Sequence, residues 1–279
     1  MLLQFSDVTY RYADGCRGLD ACSLSIARGS RNALLGANGS GKTTLLQHAI
    51  GLLRPASGQV EFAGQPVDGS RAGLNALRRR VGLVFQNPDR QLFSASVFED
   101  VSFGPLNLGL DEATVRRRVA EALAAVGMSE AAERPVHHLS FGQKKRVCIA
   151  GVLAMEPEML LLDEPMAGLD SCMQAELLAV LERLSARGIT ILLSTHDVDF
   201  AYRWADAIHV LADGRCTASF AASQLPQHAA ALQAAGQSLP AVIGLQQALV
   251  ARGVLAVDAL PRSLDQLLAQ LVGEEASCK

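Results

Sequence analysis

The run GANGSGKTT, Gly36 to Thr44, fits the pattern G-x-x-x-x-G-K-[ST] between an apolar stretch and a stretch with helical spacing. In that context the spacing specifies a phosphate cradle. Gly39 and Gly41 let the backbone curl so that successive N–H groups of the loop, from Asn38 and Ser40 through Thr44, face inward, while the following helix offers its positive end. Lys42 adds a point charge toward the β- and γ-phosphates of ATP, and the Thr43 hydroxyl suits a Mg²⁺ shell. Downstream, MLLLDEP places Asp163 at the carboxyl end of a short apolar strand, where ligands of open α/β sheets bind. Asp163 is expected to hold Mg²⁺ through water and Glu164 to act as general base on an attacking water; the alternative is an acidic pair that anchors a turn before Pro165. ILLSTH puts His196 at a second strand end, placed to bond a γ-phosphate or position the water.

LSFGQKKRV, Leu139 to Val147, contains a second anion-binding corner. Ser140 and Gln143 are spaced as a capping box with Gly142 in the first turn, so a helix amino end is presented to an anion. A triphosphate already held by the Gly36–Thr44 loop leaves this corner free to face the γ-phosphate on another copy. Two-fold pairing then closes both sites at once.

These residues need a sheet to carry them. LLQFSDVTYRY alternates and is rich in β-formers, and CSLSIARGSRNALLG reads as two further strands around a turn at Arg28 and Gly29, giving a β-rich opening layer. KTTLLQHAIGLL then has helical spacing. From about Asn87 the composition changes to a mainly helical insertion, in which Val115, Val119, Ala122, Leu123 and Val126 share one helix face that ends at Gly127. Between the apolar runs Met159–Leu162 and Ile189–Leu193, SCMQAELLAVLERLSARG is spaced as a crossover helix, so the middle of the chain is a βαβ unit. Near the end, RSLDQLLAQLVG forms an amphipathic helix with a capping box at Ser263 and Gln266 and a stripe of Leu264, Leu267, Leu268 and Leu271, which serves either the core or pairing with a second copy. The expected fold is α/β of the P-loop NTPase class: a nucleotide-binding domain over 1–222 with a helical subdomain at about 87–150, then an α-rich extension over 223–279 that could pair two chains.

At 279 residues the chain can bury one large core and a smaller appendage. A net charge of −3 offers no broad attraction for nucleic acid. The six cysteines show no C-x-x-C pair, which argues against a zinc site or a disulfide framework. No apolar run reaches bilayer length and the amino terminus lacks the pattern of an export signal, so the chain is expected to remain in the cytosol.

In order, GANGSGKTT, FQNP, LSFGQ, MLLLDEP, AGLD and STHD strongly resemble the ATP-binding-cassette ATPases, over roughly Leu2 to Ala222. The resemblance implies that Tyr12 stacks on adenine, with Tyr10 on the same strand face as the alternative. It implies that Gln86 joins Mg²⁺ and the attacking water to a membrane subunit, and that Asp170 makes a contact across a dimer. The stretches VFQNPDRQLFSASVFEDVSFGPLNLGL and LSFGQKKRVCIAGVLAMEPEMLLLDEPMAGLD are similar to the energy-coupling-factor ATPases, in particular those of cobalt transporters. In that group two ATPase chains dock on a transmembrane coupling protein, which in turn holds a substrate-binding membrane component. The implied protein is an ATPase peripheral to the cytoplasmic face of the membrane, energising uptake of Co²⁺, with Ni²⁺ or a vitamin such as biotin as alternative cargo. A soluble cassette ATPase of translation or DNA repair is the rival reading; it ordinarily needs a tandem cassette, a long coiled coil or a basic groove, and the sequence contains none. One departure stands out: Phe141 occupies a position where the family signature has glycine, so its side chain must point away from the phosphate. Ser140 and Gly142 keep the anion-binding groups and activity is expected to survive, the alternatives being that the ring packs on the helical insertion or weakens the closed state.

Overall fold

The first two strands of the computed structural model, which describes residues 1–255 and 260–277, alternate buried apolar and outward polar side chains. β1 (Leu3–Arg11) pairs antiparallel with β2 (Arg17–Ile26), with Leu3 opposite Ile26 and Phe5 opposite Leu24. β3 (Arg31–Leu35) leaves that layer and enters a second, mainly parallel sheet. This corrects the expectation that all three opening strands form one β-rich layer. The physical reason lies in Ala33, Leu34 and Leu35, which are apolar on both faces and need a sheet covered on both sides. Leu34 packs with α1 and the antiparallel strands, whereas Ala33 and Leu35 pack toward the helices on the other face.

α1 (Lys42–Ala49) follows the glycine loop, and β4 (Ser57–Phe62) and β5 (Gln65–Pro66) return to the antiparallel sheet, whose order is β2-β1-β4-β5. α2 (Arg71–Arg80), capped by Ser70, leads into β6 (Val81–Val84) at the edge of the parallel sheet. Three helices then occupy the segment that reads as a helical insertion: α3 (Val97–Asn107), α4 (Glu112–Ala125) and α5 (Phe141–Leu153). Val115, Val119, Ala122 and Leu123 form the buried face of α4, and Gly127 at φ +68° ends it.

β7 (Met159–Leu162), α6 (Ser171–Ala186) and β8 (Thr190–Thr195) make the βαβ unit, with Met159 beside Thr190 in parallel register. α7 (Val198–Trp204), β9 (Ala207–Ala212) and β10 (Arg215–Ala221) complete a six-stranded sheet of order β10-β9-β3-β8-β7-β6. β3, β6, β7 and β8 run parallel, so their carboxyl ends gather along one edge, where the chemistry-bearing residues lie.

The remaining helices are α8 (Ala229–Ala234), α9 (Ala241–Ala251) and α10 (Leu264–Ser277). Arg262 fastens this segment to α7 by donating to the carbonyls of Tyr202 and Ala205, and Asp199 accepts from Ala241 N–H at 3.1 Å. The leucine stripe of α10 is split between two faces. Leu267 is buried and Leu271 packs on the core, whereas Leu264, Leu268 and Val272 are exposed. Its capping box is shifted by one residue: Ser263 Oγ accepts from Gln266 N–H, but the Gln266 side chain accepts from Arg262 N–H. Cys278 lies outside the described residues. Among the described residues no helix is long and apolar enough to cross a membrane.

Candidate nucleotide site

The loop between β3 and α1 ends on Gly41, at φ +106°, where an added Cβ would sit 2.6 Å from Gly18 O. A side chain is excluded there by conformation and by space. α1 begins immediately afterwards with no side-chain cap, so the N–H groups of its first turn meet no capping oxygen, and Ser40 Oγ is buried without a partner among the described residues. An uncapped helix start with an orphaned hydroxyl beside it fits a phosphate. Lys42, almost fully buried, folds back over the loop and donates to Gly36 O at 2.8 Å and Ala37 O at 3.1 Å.

At the ends of β7 and β8 the acidic pair is held in a fixed pose. Thr43 Oγ1 donates to Asp163 Oδ2 at 2.7 Å, and Ser194 Oγ donates to Asp163 Oδ1 at 2.7 Å. Ser194 Oγ also accepts from Glu164 N–H at 2.8 Å. Glu164 has φ +44°, a left-handed conformation that costs a non-glycine residue about 1–2 kcal/mol and must be held by its surroundings. That conformation aims the carboxylate at Lys42 Nζ, 3.3 Å away, and at His196 Nδ1, 3.1 Å away. Lysine, glutamate and histidine thus converge on one point. The Thr43 and Asp163 oxygens also converge, and an oxygen-only donor pair of this kind fits Mg²⁺.

Ser194 escaped the sequence reading, although its signal was present: it lies two residues before His196 at the end of an apolar strand. The other expected residues are distributed as follows. Gln86 is exposed at a bend two residues beyond β6, whose last residue, Val84, accepts from Asp163 N–H at 3.0 Å. Tyr12 is held beside the phosphate helix by a 2.8 Å hydrogen bond between its hydroxyl and Thr44 Oγ1. Tyr10 sits deeper, edge-on to His48 and to Tyr12. Tyr12 therefore carries the exposed ring, and Tyr12→Ala is expected to weaken ATP binding about 5- to 10-fold, the loss of one stacked aromatic face. Tyr12→Phe, which keeps that face, should bind nearly as the parent does. Titration with a fluorescent ATP analogue checks both, and unchanged affinity in Tyr12→Ala would place adenine elsewhere.

Ser140, Gly142, Gln143 and Asp170 are brought together, away from the loop. They line one cleft with Cys172 and Met173, and none of the phosphate-loop residues borders it. Ser140 closes the expected capping box with Gln143, and Asp170 caps α6 by accepting from Met173 N–H at 2.8 Å. Because Ser140 Oγ accepts within the box, its O–H remains available to donate outward. Phe141 is not among the residues that line this cleft; its ring lies against Gly168, where a Cβ would approach Phe141 Cε1 to 3.1 Å.

Comparison with known proteins places these features in a group. The family model described as ABC transporter matches residues 19–167. A cobalt import ATP-binding protein, CbiO of Rhodobacter capsulatus, is 49% identical over 98% of each chain. The structure of cbiO1 from Clostridium perfringens, part of the ABC transporter complex cbiONQ, superposes with a TM-score of 0.75 at 43% identity, covering 83% of this chain and 93% of that one. The dimeric, post-hydrolysis ATP-binding cassette MJ0796 with ADP and phosphate superposes at 0.72 and 28% identity, covering 79% and 99%.

Proposed function

Because the chain belongs to the ABC transporter ATPases of the energy-coupling-factor type, which hydrolyse ATP for transport, we propose that it energises cobalt uptake as one half of a dimer whose two nucleotide pockets are shared. The observation that carries the shared pocket is the separation of the two anion-binding ends. The uncapped start of α1 has Lys42, Glu164 and His196 around it, whereas the start of α5, with Ser140 and Asp170, lies in a cleft of its own. A second copy related by a two-fold axis supplies Ser140, Gly142 and Gln143 to the terminal phosphate, with Asp170 beside them. The dimeric form of the cassette MJ0796 supports this reading.

In the mechanism that follows, Lys42 leaves Glu164 when a γ-phosphate arrives, because a multiply charged phosphate is the stronger partner for an ammonium. Glu164 is then free to take a proton from the attacking water, with His196 holding the γ-phosphate or the water. Thr43 and Asp163 would hold Mg²⁺, with Gln86 reaching from the edge strand; bound there, the ion would neutralise charge between the β- and γ-phosphates. Loss of the γ-phosphate removes the contacts specific to the closed dimer, which reopens.

Two apolar surfaces fit the partners of this reading. Phe93, Phe103 and Leu106 are exposed together on and before α3, the two rings edge to face at 4.9 Å. Asp100 joins α3 to the segment that follows Gln86 by accepting from Phe93 and Ser94 N–H groups. A transmembrane coupling protein that docks here, holding in turn a substrate-binding membrane component, would feel movement at Gln86 directly and would keep this chain at the cytoplasmic face of the membrane. The exposed Leu264, Leu268 and Val272 of α10 suit pairing of the extension, over about 223–279, with that of the second copy.

Cobalt is favoured by the relative CbiO, whose similarity extends over nearly the whole chain. Nickel, or a vitamin such as biotin, is the alternative, since the ATPase need not touch the cargo. The test is ATP-dependent uptake by the complex formed with its membrane partners, using labelled Co²⁺ in competition with Ni²⁺ and biotin. Uptake of labelled Co²⁺, displaced by unlabelled Co²⁺ at the lowest concentration, is expected. Preferential displacement by Ni²⁺ or biotin would reassign the cargo.

A further inference from the structure

Lys145, one turn into α5, is only 2% exposed, and among the described residues no carboxylate pairs with it. A buried ammonium is costly unless its protons are used, and a Met or Leu would fill the same space without that cost. All its hydrogen bonds run to one short stretch: Nζ donates to Pro165 O at 2.6 Å, Ala167 O at 2.7 Å and Glu164 O at 3.4 Å. Those carbonyls belong to the turn that leaves β7 after Asp163 and reaches Asp170 at the start of α6. The Phe141 ring covers the ammonium at 5.1 Å, a cation–π contact, while its edge rests on Gly168 of the same turn. Beside it, a Cβ on Gly142 would come within 2.8 Å of Met173 Sδ, so the start of α5 and the start of α6 are already at closest approach. Burial lowers the lysine to about 8, so the ammonium form that satisfies three acceptors still predominates at neutral pH.

We propose that Lys145 is a positioning residue that locks the amino end of α5 to the Glu164–Asp170 turn, so that Ser140 and Asp170 are presented to the second copy's nucleotide as one rigid unit. Phe141 acts as the lid of this lock. The lock rests on the shared-pocket reading, because only there do Ser140 and Asp170 have to arrive together. Lys145 touches neither substrate nor water; it acts through the placement of two other residues. Its loss should therefore weaken closure between chains and leave ATP binding within one chain unaffected.

The experiment uses the full chain carrying Glu164→Gln, so that nucleotide is retained, and measures ATP-induced dimerisation by analytical ultracentrifugation alongside ATP affinity under dilute, monomeric conditions. Adding Lys145→Met, which keeps the apolar stem and removes the ammonium, should raise the dimer dissociation constant at least about ten-fold and leave monomer ATP affinity within about two-fold. Lys145→Gln, whose amide keeps two donors, should recover part of the loss; it also serves as the test if the methionine variant fails to fold. Unchanged dimerisation in the Lys145 variants overturns the proposal, as does a loss of ATP affinity equal to the loss of dimerisation, which would mean that Lys145 acts on its own chain's pocket. If the Glu164→Gln parent itself does not dimerise with ATP, the shared-pocket reading fails first and the lock loses its role with it.

Discussion

Replacing Glu164 by glutamine is expected to lower kcat for ATP hydrolysis by about 10²- to 10⁴-fold, the usual worth of a positioned general base, while ATP affinity stays within a few-fold. The side chain keeps its shape and can still accept from His196, and the backbone pose set by Ser194 and the left-handed turn does not depend on the carboxylate. What disappears is the group able to take a proton from water. The ion pair with Lys42 disappears too, and this should favour nucleotide binding slightly, since Lys42 no longer has to be drawn from a carboxylate. Steady-state phosphate release and nucleotide titration on the same preparation separate the two effects. Undiminished turnover in Glu164→Gln would place the base elsewhere, and a parallel loss of affinity would make Glu164 a binding group.

The second large effect is expected at Ser140, where two roles can be separated by one substitution. As a helix cap, aspartate is as good as serine, so Ser140→Asp should preserve α5 and the melting temperature. As a donor to a terminal phosphate, aspartate is the opposite of serine: it brings a negative charge and no proton. Ser140→Asp should therefore lose at least about 10²-fold in kcat through repulsion at the γ-phosphate, with ATP binding to the isolated chain unchanged because the cleft contains none of the phosphate-loop residues. Thermal unfolding, nucleotide titration and turnover assays measure the three quantities. Full activity in a stable Ser140→Asp protein would reduce Ser140 to its capping role.

The parts of the site that were legible in the sequence are those in which a local pattern dictates a local geometry. Gly41 and Lys42 are fixed by the turn they make, Asp163 and His196 by the apolar strands they close, and Ser140 with Gln143 by the spacing of a cap. Contacts between distant segments left no such trace. Ser194 reaches Asp163 and Glu164 from the neighbouring strand, and Lys145 reaches across to the turn after β7; neither follows from spacing within its own element. Phe141 read as a departure from the signature, and its contact with Gly168, 27 residues further along the chain, is another that spacing does not announce. The strands tell the same story. β7 and β8 announce themselves as continuous apolar runs, whereas β4 is largely polar and β6 is four residues between an arginine-rich helix end and Gln86, so both went unread. The placement of β3 was recoverable, because two successive leucines after an alanine cannot alternate in and out as β1 and β2 do.

The most direct measurement of the shared pocket mixes two inactive chains. Lys42→Ala removes the phosphate ammonium and leaves α5 intact; Ser140→Asp spoils α5 and leaves the loop intact. If each pocket takes its loop from one chain and its Ser140 from the other, a mixed dimer contains one pocket with both damaged parts and one with neither. Equal mixing should then restore ATP hydrolysis to about a quarter of the wild-type rate, since half of the dimers are mixed and each has one sound pocket. A rate that stays at the sum of the two inactive chains at every mixing ratio, in a preparation shown to contain mixed dimers, would contradict the account.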